Sequence, residues 1–313
     1  MRTYDNGTSA TVPPTPGSYL SDWTTLTQNA SSTNATLGGK LINDAIRYLA
    51  TKYYFNEKSY TVPGGTVALQ QAYTLPSDFE QIENITVSVG GYLWQPKTSP
   101  SRKHFDLINL VPYYNDYAQF YFIWNGQINL WPIPASSSNA ITINYRSRLV
   151  DMSQADITTG TVSVTTATTT VTHSGTSFAS WMAQSGWFKI AHSTTATSTN
   201  GDNRWYQIDS VTSTSVLELK NAYIGATVSG GTMLIGDVPI LPEDYQDLPL
   251  YRALYIYFTS ISPSTEQATL YQNLFAAGEV ELDKKYGSKE YSPVLTDTDA
   301  PIYNPNLFPR NMS

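Results

Sequence analysis

The chain has 313 residues, of which 41% are hydrophobic and only 14% charged, and its formal net charge is −7. This length is ample for a buried core, and the charged fraction lies well below the roughly 25% of typical soluble domains, so Ser, Thr, Asn, Gln and Tyr must supply the polar surface. Cysteine is absent, which excludes disulfides and thiolate sites, and no Lys/Arg cluster favours a nucleic-acid groove.

The first segment of the chain is rich in Pro, Gly, Ser, Thr and Asn, and it predicts an extended arm over residues 1–35. It lacks the apolar stretch of a secretion signal, and no run in the chain approaches the ~20 residues that span a bilayer. The stretch "TLGGKLINDAIRYLATKYYF" then predicts a helix with Ala45 and Leu49 on one face. Asn34 or Thr36 is the expected N-cap.

From Thr61 the apolar period changes to two, which predicts strands. Val67, Leu69 and Tyr73 alternate with polar or small residues, and "LPSDF" follows as a turn. The stretch "ITVSVGGYLWQP" predicts a hairpin about Gly90-Gly91, because both glycines tolerate positive φ. The expected cross-strand pairs are Val89 with Tyr92 and Val87 with Trp94.

A second hairpin is predicted in "FYFIWNGQINLWPIP", because Asn125-Gly126 is the strongest short hairpin signal. The turn pairs Ile123 with Ile128 and Tyr121 with Leu130, which places all four on one face. Pro132 and Pro134 end the second strand. A further strand is expected in "AITINYRSR", where Ile141, Ile143 and Tyr145 alternate.

Residues 152–236 form a Thr-rich stretch of short strands separated by Gly, Ser, Asn and Asp turns, the pattern of a small sandwich or barrel. A linker would lack large apolar residues, so this stretch is expected to be a domain with its own core. The candidate core residues are Trp181, Trp187, Phe188, Ile190, Trp205, Ile208, Val211 and Leu217.

Two helices are predicted after this stretch. The first is amphipathic between Leu250 and Ile261, with Pro249 in its first turn. The second begins at Ser264, which has capping-box spacing to Gln267. Its apolar stripe contains Tyr271, Leu274, Phe275 and Leu282, and Gly287 is expected at C′, just beyond the end of the helix. The short connection predicts an antiparallel helical hairpin.

The fold class that follows is α+β. A helical bundle combines the N-terminal helix with the C-terminal hairpin, beside an antiparallel β region and an inserted all-β sandwich or barrel-like domain. Since none of these helices can bury its stripe alone, they are expected to pack together, which joins 36–151 and 237–287 into one core and makes 152–236 an insertion.

The last segment, 288–313, carries four prolines and no period, yet it is rich in large apolar residues. This composition favours an extended tail that docks on another chain over idle disorder. The candidate docking residues are Tyr291, Pro293, Ile302, Tyr303, Leu307 and Phe308.

No catalytic, cofactor-binding or metal site is predicted. The three histidines, His104, His173 and His192, have no partner at ligand spacing, and nucleophile-elbow, phosphate-loop and dinucleotide signatures are absent. Neighbouring carboxylates are explained by helix starts, turns and solvated faces. An alternative remains open: Trp181, Trp187 and Trp205 would form a sugar platform if they were exposed rather than in the core, giving a carbohydrate-binding or glycan-cleaving tail component.

The phrases "YTLPSDFEQIENITVSVGGYLWQP", "YFIWNGQINLWPIPASSSNAITINYRSR" and "LPEDYQDLPLYRALYIYF", in this order, resemble the head-to-tail adaptors of short-tailed bacteriophages. The resemblance covers about 36–150 and 237–313. The inserted Thr-rich stretch is similar to small β modules inside phage structural proteins, and shorter members of the family lack it.

This resemblance implies a non-enzymatic virion protein of the tail or neck, made in the host cytoplasm. Such adaptors form a ring, commonly of twelve copies, between the portal and the tail nozzle, and they line the channel through which DNA passes without specific binding. The resemblance implies that residues 288–313 dock on the portal. It places the hairpin tips Gly90-Gly91 and Asn125-Gly126 toward the tail or the lumen, with tail fibres as a further partner and no membrane role.

Overall fold

A computed structural model describes residues 1–5, 17–175, 178–192 and 201–287. The helices among them are α1 (Tyr19–Leu26), α2 (Ser32–Lys52), α3 (Arg102–Ile108), α4 (Met182–Ser185), α5 (Leu248–Ser260) and α6 (Thr265–Tyr286). The strands are β1 (Glu57–Thr61), β2 (Ala72–Thr74), β3 (Phe79–Val89), β4 (Tyr92–Trp94), β5 (Lys97–Thr98), β6 (Phe120–Trp124), β7 (Gln127–Trp131), β8 (Ile141–Ser147), β9 (Thr161–Val164), β10 (Thr170–Ser174), β11 (Gly186–Ile190), β12 (Tyr206–Ser213), β13 (Val216–Leu219) and β14 (Val228–Asp237).

The helical core combines α1, α2, α5 and α6, so the two ends of the described chain meet in one hydrophobic cluster. Trp23 of α1 is fully buried there and donates its indole N–H to the carbonyl of Asn34, 3.0 Å away. Its ring lies against Gly38 of α2, where a Cβ would come within 2.5 Å of ring atoms. Glycine is therefore required on α2 for the close approach of α1.

Two four-stranded sheets form the β region. Their strand orders are β1-β8-β3-β4 and β2-β7-β6-β5, antiparallel throughout except for the β5–β6 pair. Side chains from both sheets share one hydrophobic cluster that includes Ile85, Ile128 and Ile143. The β region is thus a small sandwich packed between its two inner faces.

The inserted domain is a closed barrel in the order β10-β13-β12-β11-β14-β9, and β9 pairs with β10 to close it. Its core is a separate hydrophobic cluster that contains Val171, Phe188, Leu217 and Ile235. The barrel lies between β8 and α5 in the chain. The α+β class with an inserted barrel-like domain is therefore confirmed.

Both predicted hairpins have the expected register. Val89 pairs with Tyr92 and Val87 with Trp94, and Ile123 pairs with Ile128 and Tyr121 with Leu130. All four turn residues have positive φ, between 52° at Asn125 and 85° at Gly91, as two-residue turns of this kind need. The predicted helical hairpin also forms. Pro249 lies in the first turn of α5, and Gly287 is the C-cap of α6, with helical backbone angles, rather than the C′ residue.

The predicted extended arm over 1–35 is wrong for its described residues from Tyr19 onward. Tyr19–Leu26 form α1, and the N-cap of α2 is Ser31 rather than Asn34 or Thr36. The reason is local: the side chain of Ser18 accepts from the amide of Ser21, so it caps α1. The polar composition of the segment concealed the buried Tyr19, Leu20 and Trp23.

Two strand predictions also need correction. Val67 and Leu69 lie in an exposed loop rather than a strand, and Leu69 has a φ of 66°. In the barrel, Phe188 pairs with Tyr206 and both are buried, so the neighbouring Trp187 and Trp205 face outward and are only partly buried. Tyr206 takes the core position that the sequence assigned to Trp205.

The predicted capping box at the start of α6 does not form. Ser264 is the N-cap of α6, but its side chain makes no capping hydrogen bond.

Candidate interaction surface

The sandwich has one end that adjoins the helices and one that points away from them. At the near end, the amide of Ser147 donates to the carbonyl of Asn56, 2.9 Å away, shortly after the end of α2. At the other end, the amide of Ser88 donates to the carbonyl of Ala140, also at 2.9 Å, just before β8 begins. We call these the proximal end and the distal end.

The two predicted hairpin tips lie at different ends. Gly90-Gly91 follows the Ser88–Ala140 contact and is distal. The carbonyl of Gly126 accepts from the amide of Leu75, 3.0 Å away, next to the "LPSDF" turn at the start of β3, and is proximal. The structure therefore does not bring the two tips into one surface.

Helix α3 covers the outer face of the second sheet and directs the chain toward the distal end. The Arg102 guanidinium at its start lies 4.2 Å from the ring centroid of Trp124, and Phe105 stacks on Phe122 with centroids 5.8 Å apart. Asn109, just after the helix, donates to Gln71 beside the distal start of β2. α3 thus runs antiparallel to β6, from the proximal end to the distal end.

Large apolar side chains are concentrated in exposed positions at the distal end. Leu93 is 77% exposed, Tyr92 75%, and both Leu110 and Val111 74%. We define the distal surface by its exposed members: Val67, Leu69, Tyr92, Leu93, Trp94, Leu107, Leu110, Val111, Tyr113, Tyr114 and Tyr117. Scattered apolar residues are normal on protein surfaces, but such a grouping marks an interaction site.

The loop that carries much of this surface is held in place by the sheet. Ile133 donates its amide to the carbonyl of Tyr113, and Asn115 donates to the carbonyl of Ile133, both at 2.9 Å. The carboxylate of Asp116 accepts from the amide and the hydroxyl of Ser136 at 2.6 and 2.7 Å. The exposed tyrosines are therefore presented in a fixed arrangement, which lowers the entropy lost on binding.

Strand β4 is an edge of the first sheet, and its three residues Tyr92–Trp94 are all exposed. Trp94 packs edge-on against Tyr117 at 5.6 Å and donates its indole N–H to the carbonyl of Ala118 at 2.5 Å. The opposite edge, β1, carries Glu57 and Lys58. Charge protects an edge from unwanted pairing, so β4 is the unprotected edge and it belongs to the distal surface.

The proximal end contains a network of charged and polar side chains. Asp78 accepts hydrogen bonds from Lys58 at 2.7 Å and from Tyr145 at 2.8 Å. Burial raises the pKa of Asp78, but these two hydrogen bonds outweigh it and hold the pKa below its ordinary value. Burial is the largest cause that raises the pKa of Tyr145, and the hydrogen bond to Asp78 is the next.

The two "LP-x-D-aromatic" phrases of the sequence form the same turn. The amide of Phe79 donates to the carbonyl of Pro76, and the amide of Tyr245 donates to the carbonyl of Pro242, each at 3.0 Å.

Among the residues that the structure describes, the histidines and carboxylates form no catalytic arrangement. His104 Nδ1 lies 2.9 Å from the hydroxyl of Ser99, and His192 Nδ1 lies 3.1 Å from the carbonyl of Gly201. Burial lowers the pKa of His173. Within the described residues, no three His, Asp or Glu side chains are grouped to hold a metal ion, and no helix is long and apolar enough to cross a membrane.

The three barrel tryptophans do not make an open platform. Trp181 packs against the barrel core. The ring of Trp205 is already covered by the ammonium of Lys189, 4.9 Å from its centroid. Trp187 lies opposite Gly236 in the β11–β14 register, on the outer face that Thr3 occupies.

The predicted docking residues Tyr291, Pro293, Ile302, Tyr303, Leu307 and Phe308 lie outside the described residues. Sequence reasoning missed a large part of the distal surface, the run "LINLVPYY" at 107–114. The signal was the run itself: eight residues, mostly apolar, without helical or strand periodicity, the first two of which end α3. Such a run is as consistent with a buried strand as with an exposed surface, so the sequence alone did not assign it.

Residues 17–167 match the family model described as SU10 adaptor protein. The match spans α1, α2, both sheets and the start of the barrel, somewhat less than half of the chain, and it includes the whole distal surface. No curated protein matches the chain. The match supports a phage adaptor-type protein, that is, a structural component of a virion that contacts other virion proteins.

Proposed function

We propose that this chain is a head-to-tail adaptor that joins the portal of a phage head to the next component of the tail. The observation that carries the proposal is the distal surface, whose exposed aromatic and aliphatic residues lie in the segment that matches the adaptor family. A few residues supply most of the binding energy of protein interfaces, and Trp and Tyr are enriched among them. The distal surface is the side that binds the tail component.

The portal is bound from the opposite side, by the helical core and by the tail 288–313. Several copies form a ring, twelve in the simplest case, around the channel for DNA. The net charge of −7 suits such a channel, because like charges repel DNA phosphates and allow passage without binding. In this arrangement Gly90-Gly91 faces the tail, whereas Asn125-Gly126 lies on the portal side of the sandwich.

The first experiment measures binding of the full chain and of residues 1–287 to purified portal particles. We expect the full chain to bind as a ring, with a copy number read from the mass of the complex, and the shortened chain to bind much more weakly. Equal binding of the two chains would show that residues 288–313 are not the portal contact.

The alternative function, glycan binding by the barrel, predicts a different result. The full chain would bind host surface glycans and lose that binding on Trp205→Ala, with no change in portal binding. Because Lys189 already covers the ring of Trp205, we expect no glycan binding from either protein.

A further inference from the structure

The barrel and the rest of the chain have separate hydrophobic cores, so the orientation of the barrel must be fixed by other contacts. Two connectors link them, one after β8 and one after β14. The first is held by Asn43 of α2, which donates to the carbonyl of Met152 and accepts from its amide at 2.9 and 3.0 Å. Two connectors alone would leave a hinge between the bodies.

A third attachment comes from the start of the chain. The amide of Tyr4 donates to the carbonyl of Asp237, the last residue of β14, at 2.8 Å. The hydroxyl of Thr3 donates to the carboxylate of Asp156 at 2.8 Å, and the amide of Asp156 donates to the carboxylate of Asp5 at 3.0 Å. Residues 3–5 therefore contact the chain on both sides of the barrel, at Asp156 before it and at Asp237 where β14 ends.

The same residues are fixed to the helical core. The carbonyl of Thr3 accepts from the amide of Tyr19 at 2.9 Å, and the amide of Arg2 donates to the side chain of Gln246 at 2.7 Å. The guanidinium of Arg2 pairs with Asp22 and with Asp247. Tyr4 is buried in the helical cluster.

Two glycines show how closely this segment fits. A Cβ on Gly39 of α2 would lie 2.1 Å from the hydroxyl of Tyr4, and a Cβ on Gly236 of β14 would lie 2.3 Å from Cγ2 of Thr3. Real Cβ atoms never approach so closely, so the helix and the barrel strand each leave room for the segment. Residues 3 and 4 therefore fit closely against both the helical core and the barrel.

We propose that residues 2–5 are a strap that locks the barrel in one orientation on the helical core, and that release of the strap frees the barrel to pivot on its two connectors. The strap bridges two bodies that have no common core, and its contacts to each are short and mostly buried. The strap would hold the barrel in this orientation whichever partner the protein binds.

The test measures the distance between the two bodies in the full chain. Since the chain has no cysteine, Asn273→Cys on α6 and Thr214→Cys on the barrel, both at exposed positions, give one spin label on each body. Pulsed electron paramagnetic resonance then gives the distribution of distances. With the strap intact, we expect one narrow distribution.

Two pairs of variants separate the strap from general damage. Gly39→Ala pushes against the hydroxyl of Tyr4 and should broaden the distribution, whereas Gly39→Ala with Tyr4→Phe should restore it, because the next nearest ring atom lies at 3.2 Å. Asp5→Gly removes the acceptor for Asp156 while tolerating the φ of 41°. Asp5→Asn keeps an acceptor and the same backbone preference, so it should stay narrow.

Narrow distributions in both Gly39→Ala and Asp5→Gly would overturn the proposal, as would failure of Tyr4→Phe to restore the narrow distribution. Thermal unfolding followed by circular dichroism identifies a variant that no longer folds. In that case the Asp5 pair decides, because neither member introduces a clash.

Discussion

The barrel and the sandwich are both small, largely antiparallel β structures, yet they differ in how many large apolar side chains they leave exposed. The barrel closes on itself, and within its described part only Ile224 is a large apolar residue that is more than a third exposed. The sandwich leaves β4 and the distal loops open, and eleven large apolar residues are exposed there. Closed strands have no edge to protect, so the barrel buries nearly all of its large apolar side chains by itself, whereas the sandwich leaves exposed those that the proposed partner would cover.

The largest expected effect on stability is in the core of the barrel. Phe188 is fully buried in the barrel cluster, so Phe188→Ala should lower the free energy of unfolding of the barrel by about 3–5 kcal/mol. Because the two cores are separate, a denaturant titration should show an early barrel transition while the helical core and the sandwich unfold as before.

Ile143→Ala is the matched control, since Ile143 is fully buried in the sandwich cluster. It should shift the other transition and leave the barrel transition in place. If both variants shifted a single common transition, the two bodies would unfold as one unit and the comparison would fail.

The proximal end should show an intermediate effect. Asp78→Ala removes the carboxylate that joins Lys58 of β1 to Tyr145 of β8, and we expect a loss of about 1–2 kcal/mol, since Lys58 is half exposed. Asp78 has a lowered pKa, so its contribution is present above pH 4 or so and disappears as the pH falls through the lowered pKa.

The control for this variant is Asp106→Ala, which breaks only the exposed pair with Arg102 and should cost at most about 0.5 kcal/mol. Urea unfolding at neutral pH compares the two proteins. A loss at Asp78 no larger than the loss at Asp106 would mean that the proximal network adds nothing beyond an ordinary surface pair.

At the junction of the two bodies, Asp237 should behave in the opposite way with pH. Burial raises the pKa of Asp237, although its carboxylate accepts from the side chain of Ser185 and the amides of Ser153 and Gln154. Its protonation therefore stabilises the fold below the ordinary pKa, and this contribution is lost as the pH rises through the raised pKa.

Asp237→Asn cannot titrate, so the stability of the natural chain relative to this variant should fall as the pH rises above the ordinary Asp pKa of about 4 and through the raised pKa. Tyr4, whose pKa burial and the charges of Asp237 and Asp151 raise to about 12, stays neutral where carboxylates titrate. Thermal unfolding at several pH values measures the difference. A difference that is constant with pH would show that Asp237 does not titrate differently in the folded state.

Local sequence patterns correctly predicted those elements whose conformation depends only on residues close together in the chain. Asn125-Gly126 and Gly90-Gly91 determine a turn and a register by themselves, and the stripe from Leu250 to Ile261 determines a helix. Trp205 shows the limit, because alternation gives two faces but not which one points inward, and Tyr206 is a large aromatic residue like its neighbour. The proximal and distal ends depend on contacts between distant residues, such as Ser147 with Asn56, that no local pattern contains.

The smallest expected effect on stability is at the distal surface. Leu93→Ser with Leu110→Ser replaces two side chains that are 77% and 74% exposed, so the free energy of unfolding should change by no more than about 0.5 kcal/mol at each site. Ile224→Ser on the barrel, where the side chain is 62% exposed, is the matched control and should be equally silent. Binding to the purified tail component should separate them: the distal variant should lose more than about 1 kcal/mol of binding free energy and the barrel variant none. Equal affinity of all three proteins would mean that the exposed apolar residues of the distal surface do not contribute to binding the tail component. The open sandwich and the closed barrel would then differ in structure but not in their role in binding.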